Sequence, residues 1–300
     1  MRILVTGKEG QVATALQQAG DATPGIEVVR LGRPEIDLAR PEGLEAPVRE
    51  ARPDLIISAA AYTAVDKAES ERAAADAVNG DGPAELARLA AALDVPLLHL
   101  STDYVFAGDK DGPYVETDTP GPATAYGLSK LSGEMAIETA TPNHVILRTA
   151  WVYAPYGHNF VRTMLRLGET RDEVDVVADQ QGCPTYAPEI ARILLAISQR
   201  IVADSDPALR GIFHFAGQGE TTWAGFAEAV FAGAARRGRH PVHVRPIATS
   251  AYPTPARRPR NSRLNSQKLH DIYGMISEPW QVSLGNCLDR LLETTTERSL

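Results

Sequence analysis

The segment Tyr126-Gly-Leu-Ser-Lys130 sets a phenol and an ammonium four residues apart, a spacing that brings both to one face of a helix. Hydride delivery to a ketone builds negative charge on its oxygen. A tyrosine, with an ordinary pKa of about 10, supplies the proton when a nearby cation stabilises its phenolate. Lys130 is that cation. Thr102 closes the apolar run Leu97-Leu98-His99-Leu100-Ser101-Thr102, and its hydroxyl would orient the carbonyl and stabilise the developing charge. Together Thr102, Tyr126 and Lys130 read as a set for reducing a carbonyl, with Tyr126 as the acid.

A hydride donor has to be held beside them. Gly7-Lys8-Glu9-Gly10-Gln11-Val12-Ala13 follows an apolar N-terminal run and opens a helical pattern, the context that a dinucleotide-binding turn requires. Gly7 permits the tight turn, Gly10 lets backbone approach a pyrophosphate, and the small Ala13 lets helix and strand pack closely. The free N–H groups of the helix at Gln11 and Val12 would face the phosphates. Such a glycine pattern is weak alone, and its position carries the reading. Further on, Val29-Arg30-Leu31-Gly32-Arg33 offers arginines where a ribose-binding carboxylate usually stands. An arginine such as Arg33 pairs with a 2′-phosphate that a carboxylate would repel, so NADPH is favoured over NADH. Asp37 and Leu38 are candidates to meet the adenine, and Ala61, Tyr62 and Thr63 end the third strand on the cofactor side.

The elements that must position these residues alternate. Strand patterns at 2–6, 27–31, 55–58, 96–101 and 144–153 are separated by helical patterns at 11–19, 42–51, 70–93 and 124–139. Such alternation predicts an α/β doubly wound (Rossmann) parallel sheet covered on both faces, because each crossover needs a helix's length of chain. Ligands of open sheets bind at the carboxyl edge, where Thr102 would lie. The second half is less regular: 174–178, 188–201 and 211–216 look like further sheet units, 222–237 is a helix of small residues, and 252–260 is too rich in proline for either element. Residues 1–150 are expected to form the cofactor unit, with 172–217 returning to it. Residues 151–171 and 218–300 are expected to form a smaller substrate-binding lobe.

Composition bounds the rest. A chain of 300 residues should bury roughly 75% of its unfolded surface, so no staple is needed. Thirty Lys and Arg against 38 Asp and Glu give a net charge of -8, which disfavours nucleic acid or an anionic membrane as a partner and leaves an anionic ligand to be held locally. The two cysteines, Cys183 and Cys287, form no metal or disulfide pattern, and the absence of a signal or spanning segment fits a reducing, cytoplasmic setting. His240-Pro-Val-His243 lacks the context of a metal site. The one dense basic cluster is Arg257, Arg258, Arg260 and Arg263, in a proline-stiffened segment suited to charge-assisted contacts with a diphosphate.

The chain resembles the extended short-chain dehydrogenases/reductases and, more narrowly, the dTDP-4-dehydrorhamnose reductase family. The likeness rests on Gly7-Lys8-x-Gly10-Gln11-Val12, Ala59-Ala-Ala-Tyr-Thr-Ala-Val-Asp-Lys-Ala-Glu-Ser70, Ser101-Thr-Asp-Tyr-Val-Phe106, Tyr126-Gly-x-x-Lys130 and Arg148-Thr-x-Trp-Val-Tyr153. Asn159-Phe160, Asp179-Gln180, Tyr252-Pro-Thr-Pro-Ala-Arg-Arg-Pro259 and Asn261-Ser-Arg-Leu264 carry it nearly to the C-terminus. It implies NADPH-dependent reduction of the 4-keto group of a dTDP-sugar, dTDP-4-dehydro-β-L-rhamnose, to dTDP-β-L-rhamnose. Thr102, Asp103 and Trp151 would then touch the substrate, with Arg257 and Arg258 near its diphosphate. An indole can cover an apolar sugar face. Ser58 stands where many relatives have Asn, and Gly80 replaces the alanine after Asn79. Some members dimerise through metal-bound glutamates, one of which is replaced here by Ala15, so neither metal nor dimer is assigned and the oligomeric state stays open.

Three other readings share the fold. A 4,6-dehydratase needs a second acid/base group beside the threonine, and Thr102-Asp103-Tyr104 supplies one carboxylate. A C4 epimerase uses the same three residues but retains NAD, so stoichiometric NADPH consumption separates the two. A non-catalytic relative serves as an NADP-binding regulatory subunit of methionine adenosyltransferase, and the complete Thr102, Tyr126 and Lys130 set disfavours it.

Overall fold

The runs Ile3-Leu4-Val5, Leu55-Ile56-Ile57 and Val145-Ile146-Leu147 carry no polar side chain and are fully buried, the signature of strands covered on both faces. In the computed structural model, which describes the backbone of residues 1–296 and the side chains of residues 1–292, they lie at the centre of a six-stranded parallel sheet. Its strands are β1 (Arg2–Thr6), β2 (Glu27–Leu31), β3 (Leu55–Ser58), β4 (Leu97–Thr102) and β5 (His144–Thr149), with one added from the second half of the chain. Shorter strands follow as β6 (Val152–Tyr153), β7 (Glu173–Val177), β8 (Gln181–Gly182) and β9 (Thr185–Tyr186). The sixth sheet strand is β10 (Gly211–His214), and β11 (Thr221–Thr222) and β12 (His243–Ile247) complete the series. The order β10-β5-β4-β3-β1-β2 is that of a doubly wound sheet.

Helices cover both faces. The first half supplies α1 (Gln11–Asp21), α2 (Glu45–Ala51), α3 (Val65–Ala68), α4 (Arg72–Asp76), α5 (Gly82–Leu93) and α6 (Ala125–Ala140). The second half adds α7 (Phe160–Leu167), α8 (Ala187–Ala203), α9 (Trp223–Ala235), α10 (Gln267–Tyr273) and α11 (Trp280–Thr296). Leu16 of α1 and Ile190, Ile193, Leu194 and Ile197 of α8 pack with Ile3, Val5 and Ile57. Val48 of α2 and Leu86, Leu89 and Ala90 of α5 pack with Leu4 and Ile56 on the opposite face. No helix among the described residues is long and apolar enough to cross a membrane.

Three departures from the sequence reading have local causes. The pattern at 144–153 is broken at Trp151, whose φ of 50° turns the chain, so β6 leaves the sheet and pairs with β9. The helical pattern at 70–93 is divided by a π-helical turn at Ala77–Asp81, which widens the helix and turns the buried Asn79 away from its own helix. The strand at 173–177 does not rejoin the central sheet as expected; β7 pairs in parallel with β12. Its alternation of exposed Glu173 and Asp175 with buried Val174 and Val176 suits a strand wetted on one side, unlike the fully buried central strands. Val174 and Val176 join Tyr153, Phe226, Phe231, Trp280 and Leu288 in a second apolar cluster, so the segment from 172 to 186 sits with the later part of the chain. Of the lobe expected at 218–300, residues 297–300 lie outside the described residues.

Candidate active site

Thr124 caps α6, its Oγ1 accepting from the Gly127 N–H at 3.0 Å, which fixes Tyr126 in the first turn. Gly127 is required there, because a Cβ would run into the Tyr104 carbonyl. Thr102 ends β4 opposite Thr149 of β5, at the carboxyl edge of the sheet. The Thr102 hydroxyl is near enough to the Tyr126 phenol to favour its ionised form. Thr102 Oγ1 also donates to Asp103 Oδ1 at 3.0 Å and accepts from the Tyr104 N–H at 3.2 Å. The tyrosine and threonine expected from sequence are thus brought together with Asp103 at one buried point.

Burial pushes the Tyr126 phenol well above its ordinary range, with the Thr102 hydroxyl acting against it and the charge of Asp103 adding to it. The phenol is therefore fully protonated at neutral pH, as an acid must be before it donates. Burial also raises the Asp103 carboxyl to about 6, against the Ser262 and Thr102 hydroxyls. Lys130 is 1% exposed, and burial pushes its amine down to about 8, partly offset by the charge of Glu134. Its Nζ donates to the Leu100 carbonyl at 2.7 Å and lies 2.9 Å from His99 Nε2. Both contacts hold the ammonium against β4.

The glycine turn has the form expected of it. Gly7 has φ of 100°, and a side chain there would be strained whatever the space. Gly10 precedes α1 with no side-chain cap, the first turn carries no acidic residue, and the space before Gly10 is open. The N–H groups that open α1 fit an anion. Gln11 is fixed by Asn159, whose Nδ2 donates to Gln11 Oε1 at 3.0 Å and to the Ala154 carbonyl at 2.8 Å. Val12 is half-buried beside it.

The two arginines after β1 and α1 have separate fates. Arg30 is spent within the fold, on Gln17 Oε1 and the Lys8 carbonyl. Arg33 is exposed at the end of β2. Asp37 Oδ1 accepts from the Ala39 N–H at 3.0 Å, and Leu38 is buried. The loop Ala61-Tyr62-Thr63 is fixed by Asn79, which accepts from the Tyr62 N–H at 2.8 Å and donates to the Tyr62 carbonyl and to Ser129 of α6, both at 3.0 Å. One buried amide thereby couples the loop to the helix carrying Tyr126 and Lys130.

Just past β5, Trp151 is half-buried and stacks on Trp223 at the start of α9, with ring centroids 3.6 Å apart and planes 11° from parallel. Arg258 pairs with Asp66 at 2.5 Å and favours the ionised form of the nearby Tyr104 phenol, whereas Arg257 is exposed. Arg260 faces Asp111 at 3.6 Å, and Arg263 is held by Asn261 and Glu220. The basic cluster is therefore divided, with two of its members tied down inside the fold. Among the described residues no group of three or more His, Cys, Asp or Glu converges as metal ligands would.

The spacing of residues in the sequence assigns no role to Asn79, His99, Glu134 or Asn159. His99 is a lone imidazole between leucines, and Arg148, which meets Glu134, is a lone guanidinium in Val-Ile-Leu-Arg. A single polar side chain inside an apolar strand was the available signal, since burial obliges it to find a partner.

The chain matches the family described as RmlD substrate binding domain over residues 1–293. It is 52% identical over 283 residues to the dTDP-4-dehydrorhamnose reductase of Sinorhizobium fredii (strain NBRC 101917 / NGR234), covering 94% of this chain and 95% of that one. This chain belongs to the dTDP-4-dehydrorhamnose reductase family. Among solved structures, it superposes on the dTDP-4-dehydrorhamnose reductase of Clostridium acetobutylicum with a TM-score of 0.90 at 35% identity, covering 97% and 99% of the two chains. The dTDP-4-dehydrorhamnose reductase from Bacillus anthracis, solved in complex with NADP, gives 0.87 at 33% identity, covering 95% and 97%. The doubly wound fold expected from strand and helix alternation is the fold of this family.

Proposed function

We propose that this protein reduces the 4-keto group of dTDP-4-dehydro-β-L-rhamnose to give dTDP-β-L-rhamnose, with NADPH as the reductant and Tyr126 as the proton donor. The observation that carries the reading is that Thr102, at the carboxyl edge of the sheet, acts on the phenol of Tyr126, which stands one helical turn before Lys130. Bound NADPH supplies the hydride. The N–H groups opening α1, with Gly7, Gly10, Gln11 and Val12, hold the pyrophosphate, and Arg33 pairs with the 2′-phosphate. Asp37 and Leu38 border the adenine, and Ala61, Tyr62 and Thr63 line the wall that Asn79 fixes.

In this reading the chain works as two units. The six-stranded sheet and its helices bind the cofactor, and the second apolar cluster carries the surface that covers the sugar. Thr102 orients the carbonyl and Tyr126 hands over its proton as charge grows on the oxygen. A buried phenolate is costly, and the Lys130 ammonium offsets that cost. Asp103 and Trp151 contact the sugar, and Arg257 and Arg258 flank its diphosphate. Incubation of the purified protein with dTDP-4-dehydro-β-L-rhamnose and NADPH should consume the two in equal amounts, followed by loss of NADPH absorbance. A flat trace with authentic substrate overturns the reading.

A further inference from the structure

His99 lies on β4 in the run Leu97-Leu98-His99-Leu100 and is fully buried, with Ser58 its register neighbour on β3. Its ring bridges two side chains, Nδ1 lying 3.0 Å from Ser58 Oγ and Nε2 lying 2.9 Å from Lys130 Nζ. An ammonium has only donors to offer. Against a charged Lys130, Nε2 must therefore present its lone pair, and the ring hydrogen sits on Nδ1 and points to Ser58 Oγ. Burial first, and the Lys130 charge second, hold this imidazole neutral by keeping its pKa well below the ordinary value.

The surroundings leave His99 a specific task. Among the described residues, the Leu100 carbonyl and His99 Nε2 are the two acceptors within hydrogen-bond distance of Nζ. They engage two of its three N–H bonds. Glu134, one turn along α6, is the nearby carboxylate, but both of its oxygens are bound by Arg148 of β5. Its attraction for the ammonium is thus largely offset by a cation on its far side. Tyr126, on the same helix, is protonated and brings no charge.

We propose that His99 is a positioning residue for Lys130: as a neutral ring protonated on Nδ1, it accepts a hydrogen bond from the ammonium, keeps that group charged and leaves its remaining N–H for the reaction. The proposal rests on the reading of Tyr126 and Lys130 as the acid and its supporting cation. Without the acceptor, burial favours the neutral amine, and the form that stabilises a phenolate is lost at lower pH.

His99→Gln and His99→Asn separate this role from simple packing. A glutamine carbonyl reaches the place of Nε2 and still accepts from Lys130, whereas asparagine reaches only the place of Nδ1 and keeps Ser58 but not Lys130. For the wild type, kcat/KM measured against pH should fall on the basic side as Lys130 loses its proton. In His99→Asn that limb should move to lower pH by about one unit or more, and in His99→Gln it should stay near the wild-type position. Equal losses in both variants with the limb unmoved would show a packing role and overturn the proposal.

A second measurement needs no turnover. Nitrogen-15 NMR of the cofactor-free protein at neutral pH should show the His99 ring protonated on Nδ1 and bare on Nε2. An Nε2–H tautomer or an imidazolium refutes the assignment even if neither variant folds. Failure of the wild type to oxidise NADPH with the keto-sugar counts against the proposed reaction, whereas the tautomer decides whether His99 can accept from Lys130.

Discussion

The guanidinium of Arg148 grips the Glu134 carboxylate through two hydrogen bonds, Nε to Oε1 at 2.9 Å and Nη2 to Oε2 at 2.6 Å, with both side chains buried. The pair ties β5 to α6, the helix on which Tyr126 and Lys130 stand one turn apart. Arg148 also lies over the Phe106 ring, 5.0 Å from its centroid.

Removing one partner strands the other charge in the core. Arg148→Met or Glu134→Leu alone should cost about 3–5 kcal/mol, read as a lower denaturant midpoint at unchanged slope. The double variant Glu134→Leu/Arg148→Met should recover most of that loss, because no unpaired charge remains. If each single replacement shifts the midpoint only slightly, the pair is not the brace described.

Tyr126→Phe deletes the phenol hydroxyl and leaves the ring. Turnover should fall by about 10²–10⁴-fold, while the affinity for NADPH, read by fluorescence titration, stays near the wild-type value. Wild-type turnover in this variant would remove Tyr126 as the acid.

Asp103 carries a pH signature of the opposite sign to an ordinary paired carboxylate. Its folded pKa is raised from 3.8 to about 6 by burial, so between those values the folded chain binds more protons than the unfolded one. Its contribution to stability falls as pH rises through that window, and above it the buried charge is a fixed cost on the order of 3 kcal/mol. Asp103→Asn keeps an acceptor for Thr102 and removes the charge. Thermal unfolding should show this variant gaining on the wild type at pH 7 and not at pH 4. Equal gains at both values would mean that ionisation is not the source.

Trp223 backs Trp151 across a stack of 3.6 Å, while the Trp151 backbone is held at a φ of 50° that favours glycine. An aromatic pair of this kind is worth about 0.5–1.5 kcal/mol. Trp223→Ala should therefore raise KM for the dTDP-sugar by roughly 2- to 10-fold and leave KM for NADPH unchanged. A matching rise in both constants would place the effect on the fold at large and not on the sugar face.

The sequence by itself determined the features that depend on near neighbours. Apolar runs flanked by helical periodicity specified the parallel sheet, the glycine spacing specified the turn at Gly7 and Gly10, and a four-residue interval put Tyr126 and Lys130 on one face. These follow from local geometry, which a short stretch of chain already contains. The tertiary structure decided what distant residues meet. His99 reaches Lys130 from 31 positions away and Ser58 from 41. Asn79 turns out of a π-helical turn to hold Tyr62 and Ser129, Arg148 finds Glu134, and Trp151 breaks a strand whose residues otherwise suit its continuation. Each depends on strand register, on how α6 crosses the sheet, and on which buried polar atoms are left to satisfy one another once water is excluded. Those conditions exist only in the packed chain.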